Sequence, residues 1–356
     1  MGSKNLLYYQ SSILLILAIG ILVVVNYFNQ STYDTGDSVM HFLYARHAMD
    51  HPMLYLEHWG KPLFTLFASP FAIFGWTGMK VFNLLVTLLS MFFLSATAEK
   101  LLPNSRGAAA LIFASAPQLL LMTASGLTEP LFGLLMSIAI WSESRKMYWL
   151  GAVIISLSLF SRSEGQIILI IWLCWFVYQK RWKEIPLFFS AFIVYAIIGY
   201  FSKYHDFWWY FNKNPYEQPR FVYGSGPWNH FLVSFINITG PILLVLTFIG
   251  IIGFIYKVLP AFLIKKDKQK GVWVLAFLSV AGFFFFHSYA WASGRFGSYG
   301  LLRVILGIYP LTVLLMVYAW QSLADKLNGN WKLIVSNGVL LLALIYPFIG
   351  SKYSIH

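Results

Sequence analysis

The sequence predicts an all-α polytopic membrane protein. Three observations carry this. Of 356 residues, 59% are hydrophobic and only 11% are charged, against about 25% charged in an ordinary soluble domain. Apolar runs near the length of about 20 residues that a bilayer requires recur along the whole chain. The basic residues behind the net charge of +12 cluster at the ends of those runs, where the positive-inside rule places them. The charge is therefore a topology signal and not a nucleic-acid footprint. No stretch is polar for long enough to form a separate soluble domain, so residues 1–356 read as one integral-membrane unit.

The first apolar run, Ile13–Val25, follows Lys4 and lacks an A-x-A cleavage site, so it is read as a retained span and not a signal peptide. Lys4 puts the N-terminus inside, and the chain emerges near Asn29. Residues 29–75 then form an outer loop. The next spans are Trp76–Ala98 and Gly107–Ser125, joined on the inner side by Lys100 and Arg106; Leu131–Trp141 ends at Arg145 and Lys146. Two short runs flank "SRSEG" and end at the basic "QKRWK", which sets Arg162 and Glu164 in a recess below the outer surface, where charge is costly and usually functional. Ile185–Tyr200 leads to a second outer loop, 203–229. Phe231–Tyr256 returns to "IKKDKQK", Gly271–Ala290 exits to "WASGRFGSYG", Leu301–Trp320 re-enters, and Trp331–Ile349 follows. This gives about 10–11 transmembrane helices, with every strongly basic loop on one side.

Within the first outer loop, residues 37–51 have helical periodicity: Val39, Phe42, Leu43 and Met49 share one face, and Asp37, His41, Tyr44, His47 and His51 lie on or near the other. This predicts a helix lying along the membrane, capped by Asp34 or Asp37. "KPLFTLFASPFAIFG" is too short to span and is broken by Pro70, which predicts a second juxtamembrane helix. Chain parity brings Glu129, Arg162, Glu164, Arg295 and Arg303 to the same side. Carboxylates and guanidiniums under a helical roof suit a reaction on a lipid-linked anion. Cys174 stands alone in the sequence, which excludes an intrachain disulfide.

These segments, "GDSVMHFLYARHAM" followed by "WGKPL", resemble the first outer loop of the GT-C glycosyltransferases, especially the branch holding protein O-mannosyltransferases and lipid A aminoarabinose transferases. "LTEPLFGLL" resembles that family's acidic-Pro motif, "FSRSEGQIILIIW" its "TRPEG" turn, and "GLLRVILGIYPLTVLL" its late arginine segment. The sequence departs from the family in having Asp37-Ser38 for an acidic pair and Lys-Pro-Leu for Lys-Pro-Pro, and the large C-terminal extramembrane domain of many relatives is not expected here.

The resemblance implies transfer of a sugar, mannose by analogy, from a polyprenyl-phosphate donor to an acceptor hydroxyl on a lipid, glycan or protein, at the periplasmic or lumenal face of a bacterial inner or endoplasmic-reticulum membrane. The absence of a D-x-D motif and of a glycine-rich nucleotide loop agrees with a lipid-linked donor. The residues expected to act are Asp37 as general base with inversion, Asp34 as the alternative base, and Lys61, Arg162, Arg303 and Arg295 on the donor phosphate. Glu129, Glu164 and His41 are expected around the acceptor. Asp37 and His41, four residues apart, leave a divalent metal open. Aromatic residues Trp208, Trp209 and Tyr210 are candidates to stack on a sugar. The competing expectations are a transporter or lipid flippase, for which no internal repeat is visible, and a structural subunit of a membrane complex.

Overall fold

The computed structural model describes residues 3–213, 215, 223–265, 267 and 270–349. Parts of the second predicted outer loop and of "IKKDKQK" lie outside the described residues. All regular structure among the described residues is helical. Five helical segments are long and apolar enough to cross a membrane: Gln10–Phe28, Gly75–Leu101, Ile185–Tyr204, Pro241–Leu263 and Gly271–Ser293. The expected span Trp331–Ile349 falls within one helix, Gly329–Ile349, and the remaining expected spans are shorter or broken.

Proline and glycine explain the breaks. The first elements are α1 (Ser3–Phe28), α2 (Asp37–His47), α3 (Pro62–Ala72) and α4 (Gly75–Leu101). The expected span 107–125 is instead α5 (Arg106–Ala114) and α6 (Pro117–Met122). Pro117 supplies no N–H, and Ala116 before it is extended at φ −78°, ψ 121°, as a residue preceding proline prefers. Likewise the run from Phe231 is cut at Gly240, φ +79°, which turns the chain into Pro241.

Next come α7 (Glu129–Ser144), α8 (Tyr148–Ser161), α9 (Gly165–Tyr178), α10 (Ser190–Gly199) and α11 (Trp209–Asn212). They are followed by α12 (Pro241–Gly253), α13 (Gly271–Ser293), α14 (Tyr309–Ala324) and α15 (Gly329–Ile349). A 3-10 turn, Leu302–Gly307, precedes α14.

The central pair is α4 and α7, where Ser90 and Ser137 hydroxyls meet at 2.8 Å. Helix α7 buries most of its side chains, and α14 buries every one from Tyr309 to Val317 and part of the remainder, so protein surrounds most of both. Close approaches depend on missing side chains. A Cβ on Gly107 would lie 2.2 Å from the Ser11 carbonyl oxygen of α1, and one on Gly250 would lie 2.2 Å from that of Leu315 in α14.

Helix α2 forms where expected but is buried through a different face. Ser38, His41 and Ala45 turn inward, while Met40, Leu43 and Met49 are exposed. In a bilayer the apolar stripe faces lipid, so the small and polar residues are the ones that pack on protein. Asp34 caps this helix: its Oδ1 accepts from the N–H groups of Gly36 at 3.0 Å and Ser38 at 2.9 Å. Arg46 Nη1 donates to the Ala72 carbonyl at 3.0 Å, and so satisfies the C-terminus of α3 with a favourable charge.

Helix α2 is pinned to the core at Gly126, whose N–H donates to Ser38 Oγ at 2.7 Å. A Cβ on Gly126 would approach the Ser38 carbonyl oxygen to 2.2 Å. Gly126→Ala is therefore expected to lower stability by about 1–3 kcal/mol through overpacking. Ser38→Ala, which removes one buried hydrogen bond, is expected to cost about 1 kcal/mol. Thermal denaturation of the two variants checks the order, and an unchanged midpoint for Gly126→Ala would remove this anchor from the account.

Candidate functional site

The ends of several helices converge on one cavity of about 500 Å³. Helix α7 begins there, α8 ends and α9 begins there, and α13 ends there. Segments far apart in sequence therefore supply its walls. Of the expected site residues, Asp37, His41, Lys61, Glu129, Arg162, Glu164 and Arg303 line it. Asp34 joins through Arg303. Arg295 does not line it; its Nη1 lies 3.4 Å from Tyr289 Oη on an exposed surface.

Glu129 stands at the centre of the charge network. It opens α7, where the helix N-terminus favours an anion, and is 1% exposed. Its Oε1 lies 2.7 Å from Arg162 Nη1 and 3.5 Å from Arg303 Nε, so one oxygen serves two guanidiniums. Arg162 also donates to Thr128 Oγ1 at 3.0 Å and to Glu164 Oε1 at 2.7 Å. Arg303 pairs with Asp34 and Asp37. Four carboxylates, Asp34, Asp37, Glu129 and Glu164, thus face two guanidiniums and the Lys61 ammonium. Both guanidinium forks, expected on the donor phosphate, already meet carboxylates.

Lys61 enters from the N-terminus of α3, where Pro62 sits at the first helical position. Its backbone is held at φ +62°, a costly conformation for a side chain with a Cβ, and its Nζ lies 3.0 Å from Ser163 Oγ. Burial lowers its amine to about 7. His58 lies beside the cavity with its ring 4.4 Å from that of Tyr210, and His41 stacks on Trp59 at 4.8 Å.

Burial, with the Lys61 charge adding to it, holds His58 down to about 3 and lowers His41 well below its usual value. An unfolded histidine takes up a proton near pH 6.5 while these two stay neutral in the fold. The stability that each neutral ring contributes is complete above that pH and is lost as pH falls, toward about 3 in the case of His58. The loss is up to about 1.4 kcal/mol per pH unit for each ring. His58→Gln is expected to flatten the fall in melting temperature between pH 6.5 and 4; an unchanged slope would show that His58 does not drive it.

The aromatic candidates separate. Trp208 is exposed; Trp209 is buried against Tyr204 with ring centroids 4.6 Å apart. Tyr210 alone of the three lines the cavity, and its hydroxyl donates to the Leu159 carbonyl at 2.9 Å.

Sequence reasoning missed His287, which lines the cavity with Nε2 3.8 Å from Glu164 Oε1. The available signal was a histidine inside the apolar run "FFFFHSYAW", an ionisable group at membrane depth. It also missed Thr128, Ser163 and Trp59, polar or aromatic neighbours with no pattern of their own. Among the described residues no three His, Cys, Asp or Glu side chains gather as a metal-ligating group. Apolar side chains, among them Ile167, Phe286, Phe296, Leu301 and Val304, line the cavity together with the charges.

No family model matches the sequence, and no curated protein matches it at a significant level. Fold and site therefore define a class only: an all-α protein, compatible with an integral membrane protein, with a mixed charged and apolar cavity at one end of its helices.

Proposed function

We propose that the protein is a GT-C-like glycosyltransferase that moves a sugar, mannose by analogy, from a polyprenyl-phosphate donor to an acceptor hydroxyl. One observation carries the reading: Asp37, Lys61, Glu129, Arg162, Glu164 and Arg303, drawn from distant parts of the chain, line a single cavity that apolar side chains also line. Such a cavity suits a substrate with an anionic head and a hydrocarbon tail.

In this mechanism the acceptor oxygen attacks the anomeric carbon as the bond from that carbon to the phosphate oxygen breaks. Asp37 takes the acceptor proton, and the lipid phosphate departs with its charge met by Lys61 and Arg303. Arg303 is paired with Asp37 in the structure. Donor phosphate competes for that guanidinium and releases the Asp37 carboxylate to act as base, which couples donor binding to base availability. Arg162, held by Glu129 and Glu164, keeps the walls in register. Basic residues Arg145, Arg181 and Lys183 follow the ends of α7 and α9 remote from the cavity, so the positive-inside rule points the cavity away from the cytoplasm.

The test is transfer of radiolabelled sugar from a panel of polyprenyl-phosphate donors to membrane extract by the purified protein. Transfer from one donor, with inversion at the anomeric carbon, is the expected result. A protein that neither transfers nor hydrolyses any donor, yet moves a lipid or solute across liposomes, is a transporter and overturns the reading.

A further inference from the structure

The glycosyl-transfer reading gives no task to Ser163. This serine lies in the reversal between α8 and α9, where Arg162 is extended at φ −153°, ψ 146° and the chain then turns into α9 at Gly165. The reversal is tight, since a Cβ on Gly165 would come within 2.5 Å of the Ser158 carbonyl group. The Ser163 hydroxyl is thereby presented to the cavity 3.0 Å from Lys61 Nζ. Lys61 is 7% exposed and reaches this position from a backbone at φ +62°. Strain of that kind persists where surrounding structure enforces it and clusters at functional positions.

We propose that Ser163 and Lys61 form a nucleophile and base pair that cleaves a lipid-borne carboxylic ester in the same cavity. Lys61 Nζ donates to Ser163 Oγ in the structure; with the amine neutral, the same 3.0 Å contact lets the hydroxyl donate instead, so nucleophile and base stand within hydrogen-bond reach. Ser163 Oγ bonds to the ester carbonyl carbon as its proton passes to Lys61 Nζ. The carbon–alkoxy bond breaks, and the leaving alcohol takes that proton. Water then bonds to the acyl carbon as its proton passes to Lys61 Nζ; the bond from that carbon to Ser163 Oγ breaks, Lys61 returns the proton to Oγ, and the carboxylic acid leaves. Ile167, Phe286, Phe296, Leu301 and Val304 supply apolar lining for the acyl chain.

Burial brings the Lys61 amine to about 7, so both forms are populated near neutral pH: the neutral one accepts the Ser163 proton, and the charged one meets phosphate in the glycosyl-transfer reading. Glu164, Asp37 and Glu129 oppose this lowering by favouring the charged form, and Arg162 assists it. His41, His58, His287, Arg303, Tyr210, Tyr223 and Tyr299 are the other titratable groups that line the cavity.

The test uses the purified full-length protein in detergent with a fluorescent fluorophosphonate, which phosphonylates an activated serine with loss of fluoride. An adduct on Ser163 by peptide mass spectrometry is expected, with a labelling rate that rises between pH 6 and 8. The rate is expected to fall about 10²-fold or more in Lys61→Met, and the adduct to vanish in Ser163→Ala. Access is measured separately with Ser163→Cys in a Cys174→Ser background, since Cys174 is exposed, using iodoacetamide. If the introduced thiol is alkylated while wild-type Ser163 stays unlabelled across the pH range, the hydroxyl is not activated and the proposal fails. If the thiol is not alkylated, the hydroxyl is closed to small electrophiles and the proposal fails equally. Neither outcome bears on glycosyl transfer, which does not involve Ser163.

Discussion

Asp37→Asn is expected to lower sugar transfer by about 10²- to 10⁴-fold, the usual contribution of a positioned general base. The loss should fall on turnover, with donor binding retained, because the group acts on a proton that moves only in the transition state. Asparagine keeps the size and one acceptor oxygen for Arg303, and the Asp37 side chain is 45% exposed, so the fold should tolerate it. Asp34→Asn is the informative control. Asp34 caps α2 with one oxygen and meets Arg303 with the other, so its loss should act first on stability, by about 0.5–2 kcal/mol for the cap. Measuring turnover, donor affinity and melting temperature for both variants separates the roles. Full turnover in Asp37→Asn together with lost turnover in a folded Asp34→Asn would transfer the base role to Asp34.

Arg303→Ala carries the largest expected structural effect. The guanidinium is 9% exposed and touches Asp34, Asp37 and Glu129. Its removal leaves three carboxylates facing one another with their shared cation gone. Asp34 and Asp37 are 26% and 45% exposed and screened by solvent, and buried Glu129 keeps Arg162, so the cost is below that of a fully buried pair, about 1–3 kcal/mol, and a melting temperature lower by a few degrees is expected alongside lost transfer. Arg303→Lys restores charge without the planar fork and should recover part of the stability but little of the donor affinity. Adding Asp34→Asn to Arg303→Ala should recover part of the loss, since one uncompensated carboxylate disappears; the double-mutant cycle reads that coupling. A melting temperature unchanged in Arg303→Ala would show that the network is not what holds α2 over the cavity.

The sequence by itself determined helical class, because apolar runs and basic flanks are local properties of the chain. It also marked Glu129, Arg162, Glu164 and Arg303 as charges in or beside apolar segments, where an ionised group needs a partner or a function, without deciding between the two. The two helices of residues 29–75 were legible for the same reason, through periodicity around Asp37 and the Pro62 start.

Which faces these elements bury was decided only by tertiary structure. Periodicity marks the apolar stripe of α2 but cannot say whether lipid or protein receives it, and Ser38, His41 and Ala45 turned out to be the inward set. The length of an apolar run likewise does not say whether bilayer or protein surrounds it, which is why α7 and α14 looked like spans and are mostly surrounded by the other helices. Partners of the arginines were also out of reach, since Arg303 meets Asp34 and Asp37 across more than 260 residues. The place of His287, and the approach of Ser163 to Lys61 across 102 residues, depend on where helix ends converge, and no short-range pattern in the chain encodes that.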